Sequence, residues 1–257
     1  DQYANVRPSR LLPGIQSPLK NIGPAELDWV IVRENTEGEY SGAGGRVHPK
    51  LPQEVGIDVS VFTRDGIARV MRYAFELALT RPKKQLTLVT KSNAQRHGMV
   101  LWDEVFEKLK HDYPGITTDR MLVDAITTRM VLQPQSLDTI VATNLHADIL
   151  SDLAAALSGS LGIGPTANIN PERTFPSMFE PIHGSAFDLV GKDLANPLGA
   201  FWSCVMMLEH LQEKKGASLL MSAIEEVCQE GRHLPIDLGG NSCTGEVTTA
   251  VCAALKK

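Results

Sequence analysis

Within the stretch "NLHADILSDLAAALSG", Asn144 to Gly159, two aspartates, Asp148 and Asp152, stand four residues apart. At helical period the apolar Leu153, Ala154 and Leu157 form one buried stripe, and both aspartates fall on the opposite side, one turn apart. Like charges at that spacing oppose the helix by roughly 0.2–0.5 kcal/mol. A hard divalent cation, Mg2+ or Mn2+, would remove the repulsion by binding both carboxylates. The alternative is a solvated helix face whose first turn accepts Asp148 through the helix dipole.

Other chemistry-bearing residues stand at the ends of apolar runs that read as strands. Arg33 and Glu34 end "WVIVRE", Lys91 ends "LTLVTK", Asp124 ends "MLVD" and Asn144 ends "TIVATN". In open α/β sheets ligands bind at such carboxyl ends. An arginine there suits a carboxylate substrate, because its planar fork meets both oxygens, and a lysine suits proton transfer. Singly, each has a plain structural role as an ion pair, an exposed strand end or a turn former. Jointly they form one toolkit: carboxylates for a cation, arginine for an acid and lysine as a base.

The elements that must position them alternate. Strands are predicted at 27–34, 54–63, 85–91, 119–126 and 137–144, with amphipathic helices at 65–80 and 98–111, which argues for an α/β fold. The glycine-rich "YSGAGGRVHPK" (40–50), with the strand after it, predicts a protruding hairpin arm or a surface loop. Residues 159–197 are rich in Gly, Pro, Asn and Ser and lack periodicity, and Phe175, Met178, Phe179 and Leu189 argue for an ordered loop there. Helices follow at 198–213 and 216–230, then a turn-rich "PIDLGGNSCTGE" and a closing helix. The GxGxxG dinucleotide fingerprint is absent. Glu180–Pro197, "EPIHGSAFDLVGKDLANP", would instead hold a nucleotide through loop backbone N–H groups, with Asp188 accepting from ribose hydroxyls.

The whole chain narrows the classes. Its 257 residues suffice for one large domain or two modest ones, and 43% hydrophobic and 21% charged residues with a net charge of -5 describe a mildly acidic globular protein. No basic stripe suggests nucleic acid, and no apolar run suggests a membrane span or a signal peptide. Cys204, Cys228, Cys243 and Cys252 have neither CxxC nor metal-finger spacing, which predicts reduced thiols and a cytoplasmic location.

"NVRPSRLLPG", "VIVRENTEGEYSG", "TKSNA", "ADILSDLAAAL" and "FEPIHGSAFDLVGKDLANP" together resemble the metal-dependent β-decarboxylating dehydrogenases, which include isopropylmalate, isocitrate, D-malate and tartrate dehydrogenases. "VRENTEGEYSG" and "TANINPERTFPS" are similar to the tartrate and D-malate branch. The resemblance implies an isopropylmalate dehydrogenase-like two-domain α/β fold lacking the N-terminal part of its large domain, with residues 3–157 as the central small domain and 158–257 as the C-terminal part of the large one. It implies Asp148 and Asp152 as Mn2+ or Mg2+ ligands, with Asp124 contributed by a second subunit. Arg7 and Arg33 would hold substrate carboxylates, a third family arginine falling upstream of Asp1. Lys91 of the partner subunit would assist loss of the hydroxyl proton, Tyr40 would deliver the proton that completes the product, and Asn93 would help orient the pair.

For the cofactor, the resemblance implies His183, Gly184, Ser185, Ala186, Asp188 and Asn196 around the adenine end, with acidic Asp188 favouring NAD over NADP. It also admits a monovalent cation such as K+. Departures from the family pattern are Phe187, where Pro is usual, and "HAD" before the metal helix, where "FGD" is usual. The implied protein is a homodimer with shared active sites that oxidises, with or without decarboxylation, a small 2-hydroxy dicarboxylate such as tartrate or D-malate. Rival readings are an isopropylmalate or isocitrate dehydrogenase, and a non-catalytic regulatory subunit. The presence of Arg33, Tyr40, Lys91, Asp124, Asp148 and Asp152 opposes the last.

Overall fold

β2 (Asp28–Glu34) carries the apolar run "WVIV", and its side chains divide between two cores: Trp29 and Ile31 enter one, Val30 and Val32 the other. That alternation marks a strand buried on both faces. In the computed structural model of the chain, which describes residues 1–257, β2 is central in a seven-stranded mixed sheet. The strand order is β6 (Thr117–Leu122), β5 (Gln85–Thr90), β7 (Thr139–Ala142), β2, β1 (Ala4–Arg10), β8 (Pro165–Ile169) and β9 (Met178–Pro181). β6, β5, β7 and β2 run parallel, whereas β1 is antiparallel to both β2 and β8, and β9 antiparallel to β8.

Helices cover both faces, as a parallel sheet requires. One core, of 21 buried residues, packs α1 (Arg64–Thr80) and α2 (Gly98–Leu109) against the sheet. The other, of 28, gathers α3 (Val123–Leu132), α4 (Asn144–Leu157), α5 (Leu198–His210), α6 (Lys214–Glu230) and α7 (Thr244–Ala254). No helix is long and apolar enough to cross a membrane.

β3 (Gly38–Val47) and β4 (Val55–Val61) pair only with each other, forming the expected hairpin arm. Three expectations are corrected. The predicted strand 119–126 ends at Leu122, and α3 begins at Val123, so Asp124 lies in a helix's first turn rather than at a strand end. The predicted strand 137–144 is likewise shorter, and Asn144 opens α4. The segment 159–197 contributes β8 and β9, two short strands that complete the sheet. β1 lies where no element was expected.

Candidate active site

In the antiparallel pair β1–β2, Asn5 faces Arg33 and Arg7 faces Ile31. Partners across a ladder and residues two apart share a face, so Asn5, Arg7 and Arg33 stand on the side that α4 covers. Thr143, in extended conformation, caps α4 by accepting from the His146 N–H at 3.3 Å. This start brings Asn144, Asp148 and Ser151 over the two arginines.

The contacts are dense. Arg33 donates from Nε and Nη2 to Asn144 Oδ1 at 2.8 and 2.6 Å and forms a short ion pair through Nη1 with Asp148 Oδ1. Arg7 donates from Nε to Asn5 Oδ1 at 2.7 Å, and from Nη1 to Ser151 Oγ at 2.6 Å and Asp148 Oδ1 at 3.3 Å. Tyr40, rooted in β3, donates its hydroxyl to Asp148 Oδ2 at 3.2 Å, and the Arg33 guanidinium lies 5.4 Å from its ring centre. The side chains of Arg7 and Arg33 are 11% and 10% exposed, and that of Asp148 is 37%.

Electrostatics follow from this crowding. Burial, and then the neighbouring Arg33, pull the Arg7 pKa below its ordinary value, though a guanidinium stays charged. Burial and then the Asp148 charge raise the Asp152 carboxyl, against the pull of Arg7 and Arg33. The Tyr40 phenol is also raised, by burial first and Asp148 next. The paired aspartates therefore do not face water as a bare repelling pair. Asp148 is held by two buried cations, while Asp152, one turn on, is exposed.

Lys91 and Asp124 form a separate pair. Lys91 Nζ meets Asp124 Oδ1 at 2.5 Å, and that bond draws the Asp124 carboxyl below its usual range. Asn93 lies exposed in the turn after Lys91. Within one chain no three His, Cys, Asp or Glu side chains converge as a ligand set, and Asp124 pairs with Lys91. The candidate residues of one chain thus fall into a carboxylate–arginine cluster and a lysine–carboxylate pair.

A cleft of about 580 Å3 lies at the start of α5. Leu161, Leu189, Leu194 and Ile236 give it apolar walls, and His183, Gly184, Ala186 and Asn196 line it as expected. Ser185 and Asp188 do not line it; Asp188 is exposed in a short 3-10 turn over 187–189. Ala186, at φ 42°, takes the left-handed conformation unusual for a residue with a side chain. The sequence reading missed Asp237, whose Oδ2 accepts from Asn196 Nδ2 at 2.9 Å and, in a short bond, from Ser160 Oγ. It also missed Ser151 and Glu39. Asp237 and Glu39 lie neither at a strand's end nor in a periodic pattern, and Ser151, though within the periodic α4, is a residue type common on helix faces, so none gave a signal of its own.

The isocitrate/isopropylmalate dehydrogenase family profile matches residues 1–253, and the chain belongs to that family. A probable tartrate dehydrogenase/decarboxylase of Agrobacterium vitis is 66% identical over 255 residues, which are 99% of this chain and 71% of the relative. D-malate dehydrogenase [decarboxylating] of Escherichia coli (strain K12) is 49% identical over 257 residues, with 98% and 71% of the two chains covered. Isocitrate dehydrogenase from Methylococcus capsulatus superposes over 100% of this chain and 74% of its own, with a TM-score of 0.91 and 38% identity. These relatives accord with the fold class and branch that the motifs anticipate.

Proposed function

We propose that the protein oxidises a small 2-hydroxy dicarboxylate, tartrate or D-malate, with or without decarboxylation, using NAD and Mn2+ or Mg2+. The observation that carries this reading is the convergence of Arg7 and Arg33 on Asp148. Two buried guanidinia beside two carboxylates on one helix face fit both partners of such a substrate: a hard cation at Asp148 and Asp152, and carboxylates at the arginines. The names of the tartrate and D-malate relatives support the reaction class.

The donor set suits a hard cation, being all carboxylate oxygen: Asp148 and Asp152 of one subunit and Asp124 of the partner subunit. Bound there, Mn2+ or Mg2+ would supply Lewis-acid polarisation of substrate oxygen, and NAD+ in the cleft near Asn196 would accept the hydride. The residues of this chain do the rest. Arg7 and Arg33 exchange Asp148 for substrate carboxylate and fix its orientation. Lys91 of the partner subunit, assisted by Asn93, takes the hydroxyl proton as hydride leaves the same carbon. Tyr40 gives its phenolic proton to the carbon that has lost CO2 and regains one from water. In this reading the exposed hairpin joins two copies of the chain, so that Lys91 and Asp124 of each complete the other's site.

The test is NADH formation, followed by absorbance, from D-malate or L-tartrate with NAD+ and Mn2+, in the wild type and in Asp152→Asn. Metal-dependent turnover that collapses in the variant is expected. Turnover of isopropylmalate or isocitrate alone would replace the substrate, and inactivity with all four would favour a regulatory subunit.

A further inference from the structure

Glu39 precedes Tyr40 on β3, and its carboxylate is turned toward α4. Oε1 accepts from Thr143 Oγ1 at 2.9 Å and Oε2 from the Leu145 N–H at 3.2 Å. The first turn of α4 has no acidic residue of its own. A helix N-terminus leaves backbone donors unpaired and concentrates positive potential, so a carboxylate is favoured there. In this chain the carboxylate comes from another element.

A neighbouring bond strengthens the same junction. Asn144 Nδ2 donates to the Glu37 carbonyl at 3.2 Å, while Asn144 Oδ1 is gripped by Arg33. Gly38, between Glu37 and Glu39, has φ +91°, and a side chain there would meet Phe62 Cε1 at 3.2 Å. The root of the hairpin is therefore fixed on α4, although the rest of the hairpin is exposed. Tyr40 itself is 57% exposed, and its one hydroxyl hydrogen bond goes to Asp148. A cation that takes up Asp148 competes for that bond. What then keeps the phenol in place is the backbone that carries it.

We propose that Glu39 is a positioning residue: it latches the root of the hairpin to the N-terminal turn of α4 and thereby holds the Tyr40 hydroxyl beside the paired aspartates. This rests on the reading of Tyr40 as proton donor. A phenol on a long side chain magnifies small rotations of its strand, and a displacement of about 1 Å costs on the order of 100-fold in a proton-transfer step.

The experiment is a double-mutant cycle in the purified protein, with D-malate, NAD+ and Mn2+, measuring NADH and the decarboxylated product separately. Glu39→Ala is expected to lower steady-state formation of the decarboxylated product by roughly 10- to 100-fold while sparing the NADH formed in the first turnover, because hydride transfer precedes the step that Tyr40 serves, with the KM for NAD+ unchanged. Tyr40→Phe should do the same, and Glu39→Ala/Tyr40→Phe should fall within about twofold of Tyr40→Phe alone. Glu39→Gln, which keeps one acceptor oxygen, should lie between wild type and Glu39→Ala, and it serves if the alanine variant does not fold. Losses that multiply in the double variant, or a steady-state rate unmoved by Glu39→Ala, would overturn the role of Glu39 alone. A wild type that forms no NADH from D-malate or tartrate would overturn the proposal together with the function on which it rests.

Discussion

Arg33, at the end of β2, and Asp148, in the second turn of α4, form an ion pair through the same carboxylate oxygen that Arg7 bonds at 3.3 Å. The sequence places two acids one turn apart on a helix; the fold answers the first of them with two cations that are themselves about nine-tenths buried. Removing Asp148 takes away the carboxylate that both guanidinia bond directly and leaves only the more distant charge of Asp152 to oppose their repulsion. Asp148→Asn is therefore expected to lower the unfolding free energy by about 1–3 kcal/mol, whereas Asp152→Asn, at an exposed position, should change it by no more than about 0.5 kcal/mol. Urea denaturation at neutral pH measures both. Equal effects would mean that the arginines do not depend on Asp148.

The same exchange of partners predicts coupling between metal and substrate. A cation that binds Asp148 frees Arg7 and Arg33 for a dicarboxylate, and a dicarboxylate on the arginines frees Asp148 for the cation. Linkage makes the effect reciprocal, and couplings of this kind amount to roughly 5- to 150-fold. Titration calorimetry of Mn2+ should show tighter binding with tartrate present, and chelation of the metal should weaken tartrate binding by the same factor. Equal Mn2+ affinity with and without tartrate would contradict the exchange.

How far the sequence disclosed this arrangement varies by element. The α4 pattern and the arginine at the end of β2 were legible because helical and strand periods are local. β1 was not, since Pro8 argues against a strand with neighbours on both sides. The structure resolves this: β8 pairs only with Ala4–Val6, so Pro8 meets β2 alone and needs no donor toward β8. β8 and β9, five and four residues long and each containing a proline, carry too little pattern to be seen. Asp124 reads as a strand end in the sequence because "DRMLVDAI" mixes apolar and polar residues so that both periods fit at its end, whereas α3 begins at Val123. The hub at Asp237 depends on three distant segments meeting, which no local signal encodes.

His146 supplies a pH dependence. It is buried, its Nδ1 has no hydrogen-bond partner, and burial depresses its pKa below the ordinary value of 6.5. Glu39 opposes that shift, and Lys91 adds to it. Between the depressed value and 6.5 the unfolded chain binds more protons than the folded one, so stability rises with pH across that window. The contribution is fully present above about 6.5 and is lost as pH falls through the folded value. Thermal unfolding from pH 5 to pH 8 should show this acid-side loss, and His146→Phe should flatten it. A variant with the wild-type slope would place the titration elsewhere.

The hairpin has one apolar face. Val55, Ile57, Val59 and Val61 alternate along β4, and Ala43, Gly45 and Val47 lie opposite Val59, Ile57 and Val55 on β3. Side chains from Val47 to Val61 in this row are 41–50% exposed, and a two-stranded ribbon is marginal without a covering layer. If a second copy covers it, Ile57→Asp should shift the dimer toward monomer at micromolar concentration in sedimentation measurements. Activity should then fall with dilution more steeply than in wild type. A variant that remains dimeric at all concentrations would assign the contact to another surface.

The proposed sharing of active sites between subunits carries a sharper prediction, because within one chain Lys91 pairs with Asp124 while Asp148 pairs with the two arginines. Lys91→Ala and Asp148→Asn should each abolish turnover alone. Mixed by co-refolding or subunit exchange, they form dimers in which one site takes Asp148 from the first variant and Lys91 from the second, both intact, while the other site has neither. With random pairing, half of the dimers are mixed and half of their sites are whole, so about a quarter of wild-type activity should return. If Lys91 and Asp148 served one site from the same chain, every site in every dimer would lack one of them, and mixing would restore nothing.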